Sequence, residues 1–248
     1  MNSPRCIAVI PARYHSTRFP GKPLALIKNK PMLQWVIEAT KTSPSIDEIL
    51  VATDHPQIAE LAQKCQVKAV MTSSDLPSGS DRVWTTVQNY KDVEIVINVQ
   101  GDEPLLKGSL LDQLVEPLLK DSEKTLQMST LACSINPQSL LSRNTAKIVL
   151  NKNQEAIYFS RFPIPYSRVD ALQKEEVCMK HIGLYAYRFH FLREFCQTNP
   201  VAMEIAEGLE QLRALYLGAK IKVVPVEADS WGVDIPEDIK VVEQKLKQ

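Results

Sequence analysis

The sequence lacks the features that mark several broad classes of protein. Lysine plus arginine number 29 and aspartate plus glutamate also number 29, so no overall field draws the chain to nucleic acid or to an anionic membrane. Its apolar runs are too short to span a bilayer, and residues 1–5 have no apolar core of a signal peptide. We therefore expect a cytoplasmic protein, without repeats or low-complexity segments, in which any polyanion site is local.

Metal-binding and disulfide patterns are missing as well. The five cysteines are odd in number, widely spaced and without a CxxC pair, so we expect buried thiols. The four histidines show neither HxH nor HxxxH spacing, which argues against a zinc site built locally. No GxGxxG motif follows the first apolar run, and this disfavours a Rossmann dehydrogenase.

Strand-like apolar runs alternate with amphipathic segments through the first half of the chain, beginning with residues 6–10 and 31–40. This alternation predicts βαβ units, and hence a Rossmann-like, mostly parallel sheet flanked by helices. After about residue 125 the strand-like stretches lengthen, which predicts a smaller β-rich lateral part. We expect a nucleotide-binding core over 1–125 and 218–248, and a sugar-binding and dimerisation part over 126–217.

Two segments of the second part have a more specific prediction. The segment 162–176 begins with alternating prolines and continues with charges, which predicts a surface excursion that covers a site or meets a second subunit. The segment 201–217 has apolar residues at helical spacing and predicts a single helix of four or five turns.

The loop after the first apolar run is the most informative segment. The stretch 10–24, IPARYHSTRFPGKPL, sets Arg13, Arg18 and Lys22 on a loop that three prolines stiffen and only Gly21 relaxes. Ligands of open α/β sheets bind where such strands end. A stiff cationic loop at this edge suits a polyanion such as a triphosphate. Taken alone, the same loop is also compatible with a solvated basic surface.

Carboxylates follow two other strand-like runs. Asp102 follows the run 94–99 after Gln100 and Gly101, and Asp234 lies close to Gly232 near the C-terminal end. Mg²⁺ usually takes one or two protein carboxylates together with substrate oxygens and waters. We expect Asp102 and Asp234 to position Mg²⁺ on the phosphates, although Asp102 would also suit a helix cap.

The turn PSGSDR, residues 77–82, separates a strand-like run from a helix-like one. Gly79 lets backbone groups approach the flat edge of a ligand, so the backbone of the turn can hydrogen-bond to a nucleotide base. Ser78 or Ser80 would also serve as a helix cap. Arg82 either binds a phosphate or pairs with a nearby acid.

These segments together resemble the 3-deoxy-D-manno-octulosonate (Kdo) cytidylyltransferases of the sugar nucleotidyltransferase group. The resemblance spans nearly the whole chain and includes VATD, SGSDR, NVQGDEPL, YFSRFPIPY, KHIGLYAYR, LEQLRAL and GVDIPED. It implies a GT-A-like fold, a homodimer, and the transfer of CMP from CTP to Kdo, with pyrophosphate as the other product, for lipopolysaccharide biosynthesis.

The resemblance also implies the roles of individual residues. Lys22, Arg13, Asp102 and Asp234 would be catalytic, the last two through Mg²⁺. The nucleotide would be bound by Ala12, Arg13, Lys22, Ser78, Gly79, Ser80, Arg82, Gln100 and Asp102. Kdo would be bound by Gln100, Arg161, His181, Tyr185, Glu210 and Gln211. Arg18 has no assigned role.

Independent of the resemblance, some of these residues have ordinary explanations. Arg161 would more often be a surface ion-pair partner, and the segment 207–213 has the leucine stripe of an amphipathic helix. Ser80, Ala146 and Ile235 depart from the family pattern, and Ile235 puts the geometry of Asp234 in question. Another cytidylyl- or uridylyltransferase, or a non-catalytic nucleotide-binding protein, stays open as an alternative.

Overall fold

The computed structural model describes residues 6–15, 18–166, 168, 177–227 and 231–246. The chain divides into two compact units, Met1–Asp112 with Ser230–Gln248, and Gln113–Asp229. Segments 113–125 and 218–227, which the sequence prediction grouped with the core, belong to the second unit. Most of the proposed excursion at 162–176 lies outside the described residues. Among the described residues, no helix is long and apolar enough to cross a membrane.

The first unit is built on parallel strands. Its elements in chain order are β1 (Cys6–Ala12), β2 (Leu26–Ile27), β3 (Lys30–Pro31), α1 (Met32–Lys41), β4 (Glu48–Thr53), α2 (Pro56–Lys64), β5 (Lys68–Met71), α3 (Gly79–Val87), β6 (Ile95–Asn98), α4 (Gly108–Lys120), which continues into the second unit, and α9 (Asp238–Lys245). Strand β1 pairs in parallel with β4 and with β6, and β4 pairs in parallel with β5. The predicted sheet is thereby confirmed.

Burial explains why these runs are strands. Residues 6–10 of β1 and 95–97 of β6 are almost entirely removed from solvent. Strands that are covered on both faces by helices need continuous apolar sequence rather than alternation. Helix α2 begins at Pro56 as predicted, with the His55 side chain accepting a hydrogen bond from Gln57 N at 3.3 Å.

The second unit combines parallel and antiparallel strands. Its further elements are β7 (Met128–Cys133), α5 (Pro137–Leu141), β8 (Lys147–Leu150), β9 (Ala156–Ser160), β10 (Met179–Arg188), α6 (Phe189–Gln197), α7 (Ala202–Glu207), α8 (Leu212–Tyr216) and β11 (Ile221–Pro225). Strand β7 pairs antiparallel with β10 and in parallel with β11, while β8 pairs antiparallel with β10 and β9. The expected β-rich character of this part is confirmed.

The single helix predicted over 201–217 is wrong. Helix α7 ends before Gly208, whose φ of 60° is left-handed, and α8 begins only at Leu212. A glycine in this conformation terminates a helix and turns the chain. The apolar spacing was correct within each piece, but the break places residues 209–211 on a turn.

Candidate active site

A pocket of about 260 Å³ lies in the first unit, where β1 and β6 end. Its lining carries four cations and two carboxylates: Arg13, Arg18, Lys22, Arg82, Asp102 and Asp234. Ala12, Ser78, Gly79 and Gln100 also line it. The excess of positive charge favours an anionic ligand, although the formal charge of the whole chain is zero.

A glycine brings the two strand ends together. A Cβ at Gly101 would stand 2.8 Å from the carbonyl oxygen of Pro11, closer than real Cβ contacts allow. Only glycine therefore permits this approach of the chain after β6 to the end of β1. The consequence is that Asp102 lies beside the cationic loop.

Lys22 connects the loop to two other segments of the unit. Its Nζ donates to Asp102 Oδ2 at 2.5 Å and to the carbonyl oxygen of Val233 at 2.9 Å. Gly21, with φ of 69°, begins the 3-10 turn Lys22–Leu24 and donates its N–H to Tyr14 O at 2.8 Å. An ammonium group has three N–H donors, so one is left for a ligand.

Asp234 is held by its backbone and paired through its side chain. Asp238 Oδ2 accepts hydrogen bonds from the backbone N–H of Asp234 at 2.8 Å and of Ile235 at 3.1 Å. Asp234 Oδ1 lies 3.1 Å from the guanidinium of Arg18. Ile235 is exposed, and the local geometry of Asp234 rests on Asp238 rather than on the side chain at position 235.

The PSGSDR turn supplies both a helix start and one wall of the pocket. Ser78 caps α3, accepting from Asp81 N at 3.1 Å and donating to Asp81 Oδ2 at 2.7 Å. Gly79 lines the pocket, whereas Ser80 is fully buried and does not line it. A base would meet the backbone of this turn rather than the Ser80 hydroxyl.

Arg82 lines the pocket although it is almost fully buried. Its guanidinium donates to Thr72 Oγ1 and lies 3.8 Å from Asp54, and burial lowers the pKa of the arginine. Asp54 also accepts from Tyr14 N at 2.9 Å. Arg82 thus ties α3 to the first loop through Asp54.

In the second unit, His181 is buried on β10. Its Nε2 lies 2.9 Å from Thr130 Oγ1, and its ring contacts Phe159 and Tyr185 at centroid distances of 5.0 and 5.5 Å. Burial lowers the pKa of His181 to about 3. The imidazole is therefore neutral at physiological pH.

Arg161 follows β9 and organises the turn between α7 and α8. Its guanidinium donates to the carbonyl oxygens of Glu207 at 2.8 Å, Gly208 at 3.1 Å and Arg143 at 3.1 Å. Three of its five N–H donors are used in this way. Among the described residues its guanidinium pairs with no carboxylate, and two of its N–H donors are left for an anion.

The turn after Gly208 carries two further predicted residues. Glu210 is partly exposed and lies 4.0 Å from Arg213. Gln211 is almost fully buried, and its Nε2 has no partner among the described residues. A buried amide donor without a partner is costly unless a ligand or water accepts from it, which makes Gln211 a suitable ligand contact.

Three polar residues were missed by the sequence analysis: Asp54, Thr130 and Lys147. Lys147 is fully buried on β8, with a pKa lowered by burial, and its Nζ donates to the carbonyl oxygens of Ser142 at 2.5 Å, Thr145 at 2.8 Å and Arg161 at 2.7 Å. Asp54 directly follows the parallel strand β4, and Asp102 lies a few residues after β6, so the reasoning that found Asp102 could have found Asp54. Thr130 and Lys147 lie inside strands, where no local pattern marks them.

Comparisons with known proteins place this geometry in a family. A family model described as cytidylyltransferase matches residues 7–221. The 3-deoxy-manno-octulosonate cytidylyltransferase of Bdellovibrio bacteriovorus is 50% identical over 244 residues, covering 98% of both chains. The chain belongs to the 3-deoxy-manno-octulosonate cytidylyltransferase family. The enzyme of that name from Thermodesulfovibrio yellowstonii is 46% identical, covering 97% of both chains.

Solved structures agree with this membership. CMP:2-keto-3-deoxy-manno-octonic acid synthetase, in a structure with CTP, has a TM-score of 0.92 at 38% identity and covers 98% of this chain and 99% of that one. A cytidylyltransferase of Leptospira borgpetersenii, with a TM-score of 0.66 at 17% identity, shares the fold. The predicted cytidylyltransferase fold and family are confirmed.

Proposed function

We propose that this cytidylyltransferase transfers CMP from CTP to the anomeric hydroxyl of Kdo, giving CMP-Kdo and pyrophosphate. The cationic pocket at the ends of β1 and β6, in which Lys22 is fixed by Asp102 and Val233, is the observation that carries the proposal. The product would supply activated Kdo for lipopolysaccharide biosynthesis. CTP is a cytoplasmic metabolite, so we expect the reaction in the cytoplasm.

The phosphates of CTP would lie on Arg13 and Lys22. In phosphoryl-type transfer, positioning and charge stabilisation supply most of the catalysis. Lys22 would direct its third N–H to a phosphate oxygen, and Arg13, which is exposed at the pocket, would bind another. The sugar hydroxyl then attacks the α-phosphorus in line, so no covalent enzyme intermediate is required.

Asp102 and Asp234 suit a magnesium ion held jointly with the nucleotide. Both carboxylates line the pocket, and oxygen donors are the ligands that Mg²⁺ prefers. Among the described residues there is no cluster of three or more metal-ligating side chains, which fits a cation that takes its remaining ligands from phosphate and water. When bound, Mg²⁺ would neutralise charge developing on the phosphates.

The cytosine and the sugar acid would use different groups. The turn with Ser78 and Gly79 would bind the base through its backbone, with Ala12 and Gln100 beside it. Kdo would be bound by residues that all belong to the second unit: Arg161, His181, Tyr185, Glu210 and Gln211. The two remaining donors of Arg161 suit the sugar carboxylate.

We also propose that the enzyme is a homodimer that uses its second unit. That unit exposes large apolar side chains, among them Leu141, Phe162 and Tyr166, which are 74%, 68% and 84% exposed. A surface on which such residues cluster is typical of one that a partner covers. Sedimentation equilibrium would give the mass of two chains, and a single-chain mass at micromolar concentration would reject this part of the proposal.

The proposed reaction is tested by pyrophosphate release. We expect release with CTP, Kdo and Mg²⁺, and none when Kdo or Mg²⁺ is omitted. The matched reactions replace CTP with UTP, and Kdo with a sialic acid or a sugar 1-phosphate. Release from UTP and a sugar phosphate, with none from CTP and Kdo, would overturn the proposal in favour of another nucleotidyltransferase.

A further inference from the structure

The hydroxyl of Thr130 lies at a break in the pairing of two strands. The register between β7 and β10 shifts between Ile182 and Tyr185, opposite Thr130. At this bulge Thr130 Oγ1 lies 2.8 Å from Leu184 O, 3.2 Å from Ile182 O and 2.9 Å from His181 Nε2. Thr130 is fully buried, so these protein atoms are what satisfies its hydroxyl.

Counting protons decides how these atoms bond. A threonine hydroxyl has one proton, and a carbonyl oxygen can only accept. The 2.8 Å separation from Leu184 O is a normal O–H···O distance, and without a proton between them the two oxygens would repel. Thr130 therefore donates to the backbone, and its oxygen must accept from Nε2 of His181.

The second nitrogen of His181 is then defined as well. The ring is neutral, because burial lowers its pKa to about 3. A neutral imidazole carries one proton, and Nε2 holds it. The other nitrogen, Nδ1, has no hydrogen-bond partner among the described residues and is left as an acceptor.

We propose that Thr130 is a positioning residue that holds His181 as the Nε2–H tautomer, so that Nδ1 accepts a hydrogen bond from a hydroxyl of the sugar acid. The identity of the ligand of His181 rests on the proposed function, whereas the tautomer of His181 does not. An acceptor nitrogen selects a ligand O–H and disfavours a carboxylate at the same position, because two acceptors cannot share a hydrogen bond. His181 thus binds a hydroxyl of the sugar acid, and the sugar carboxylate binds a cationic group instead.

The tautomer can be read directly in the protein without substrate. In long-range ¹H–¹⁵N correlation spectra of uniformly labelled protein at pH 7, His181 should show a protonated Nε2 and an unprotonated Nδ1. The chain has four histidines, so the loss of one pattern in His181→Gln assigns the signals. A proton on Nδ1 in the wild-type protein would overturn the proposal.

Variants of Thr130 distinguish the effect of its hydroxyl from the effect of its side-chain volume. Thr130→Val removes the acceptor of the Nε2 proton and should give a mixture of tautomers, whereas Thr130→Ser should retain the wild-type pattern. Ser129→Ala is the matched control, because it removes a neighbouring buried hydroxyl that donates to Leu114 O and does not contact His181. An unchanged tautomer in Thr130→Val would remove Thr130 from its proposed role. If Thr130→Val does not fold, the wild-type and Thr130→Ser spectra still decide the assignment.

Steady-state kinetics test the contact between His181 and the sugar acid. Loss of one neutral hydrogen bond should raise the KM for Kdo roughly threefold to tenfold in Thr130→Val, with the KM for CTP unchanged and Thr130→Ser close to wild type. Equal KM values for Kdo in wild type and Thr130→Val would contradict the ligand-reading step. If Kdo is not a substrate at all, the proposed function fails while the spectra still test the tautomer.

Discussion

The two carboxylates expected to hold Mg²⁺ each contact a cation of the chain, and the two pairs differ in exposure. Lys22 and Asp102 are 16% and 30% exposed, whereas Arg18 and Asp234 are 65% and 57% exposed. Exposed ion pairs contribute about 0–1 kcal/mol, so Asp234 can exchange Arg18 for another cation at little cost. Lys22 is the better fixed of the two cations, and we expect it to be the main catalytic one.

Replacing Lys22 tests this difference. Lys22→Met should lower kcat by about 100-fold or more, because a fixed charge that stabilises the transition state is lost. Lys64→Met is the control, since Lys64 is exposed on α2 and among the described residues pairs with Glu60 alone. Steady-state kinetics and circular dichroism measure both variants. Near-normal turnover of a folded Lys22→Met would contradict the catalytic role.

His181 gives a prediction for stability against pH. Its pKa is about 3 when folded and near 6.5 when unfolded, so between these values the unfolded state binds more protons. Stability should therefore fall as the pH decreases from 6.5 towards 3, by up to ~1.4 kcal/mol per pH unit from this residue.

In His181→Gln this contribution is absent, and the carboxylates titrate as in the wild type, so the difference between the two proteins isolates the histidine. Urea unfolding across this pH range measures it. Parallel stability profiles for the two proteins would show that His181 is not buried in its neutral form.

At the scale of elements, the turn between α7 and α8 carries Glu210 and Gln211, which we propose bind the sugar, and this turn depends on Gly208. Its left-handed φ of 60° ends α7, and the guanidinium of Arg161 binds the carbonyl oxygens of Glu207 and Gly208. Glu207 in turn accepts from Ser160 Oγ at 2.7 Å and from Arg161 N at 2.8 Å. The end of β9 thus fixes the turn that presents Glu210 and Gln211.

Gly208→Ala should lower the free energy of unfolding by about 1–2 kcal/mol, because a Cβ is unfavourable in the left-handed conformation. Gly183→Ala is the matched control, since its φ is not positive and a Cβ there meets nothing within 4 Å. Urea denaturation at pH 7 compares the two. If Gly208→Ala were as stable as the wild type, the turn would not depend on this conformation.

Much of the element pattern could be predicted from the sequence, for reasons that also explain the failures. Buried parallel strands need continuous apolar runs, which made β1, β4 and β6 visible. The prediction did not identify helix α6, because it begins at Phe189 directly after β10 with no glycine or proline to mark the change. The prediction over 201–217 followed the apolar spacing and overlooked Gly208.

The pocket was predictable for a related reason, since parallel strands deliver their carboxyl ends to one edge. Contacts between residues that lie far apart in the sequence were not predictable. Thr130 and His181 are 51 residues apart, and Arg82 meets Asp54 only after α3 packs in the first unit. Pairing of this kind depends on the folded chain, so no local pattern marked Thr130, and the sequence did not pair Arg82 with Asp54.

At the scale of the whole molecule, the formal net charge is zero, but the charged side chains are distributed unevenly over the chain. Four cations and two carboxylates meet at one pocket of the first unit, whereas the second unit holds the neutral His181 and Gln211 together with the ionisable Arg161 and Glu210. This distribution suits an enzyme that binds a triphosphate and a polyhydroxylated acid through different residues.

The central claim is that CMP as a unit passes to the sugar acid. The most direct measurement uses CTP labelled separately on the α- and γ-phosphates, with Kdo and Mg²⁺, and separates the products by anion-exchange chromatography. We predict that the α-label appears in CMP-Kdo and the γ-label in pyrophosphate, in equal amounts. Recovery of the α-label in CDP or free CMP, with the γ-label in inorganic phosphate, would contradict the account.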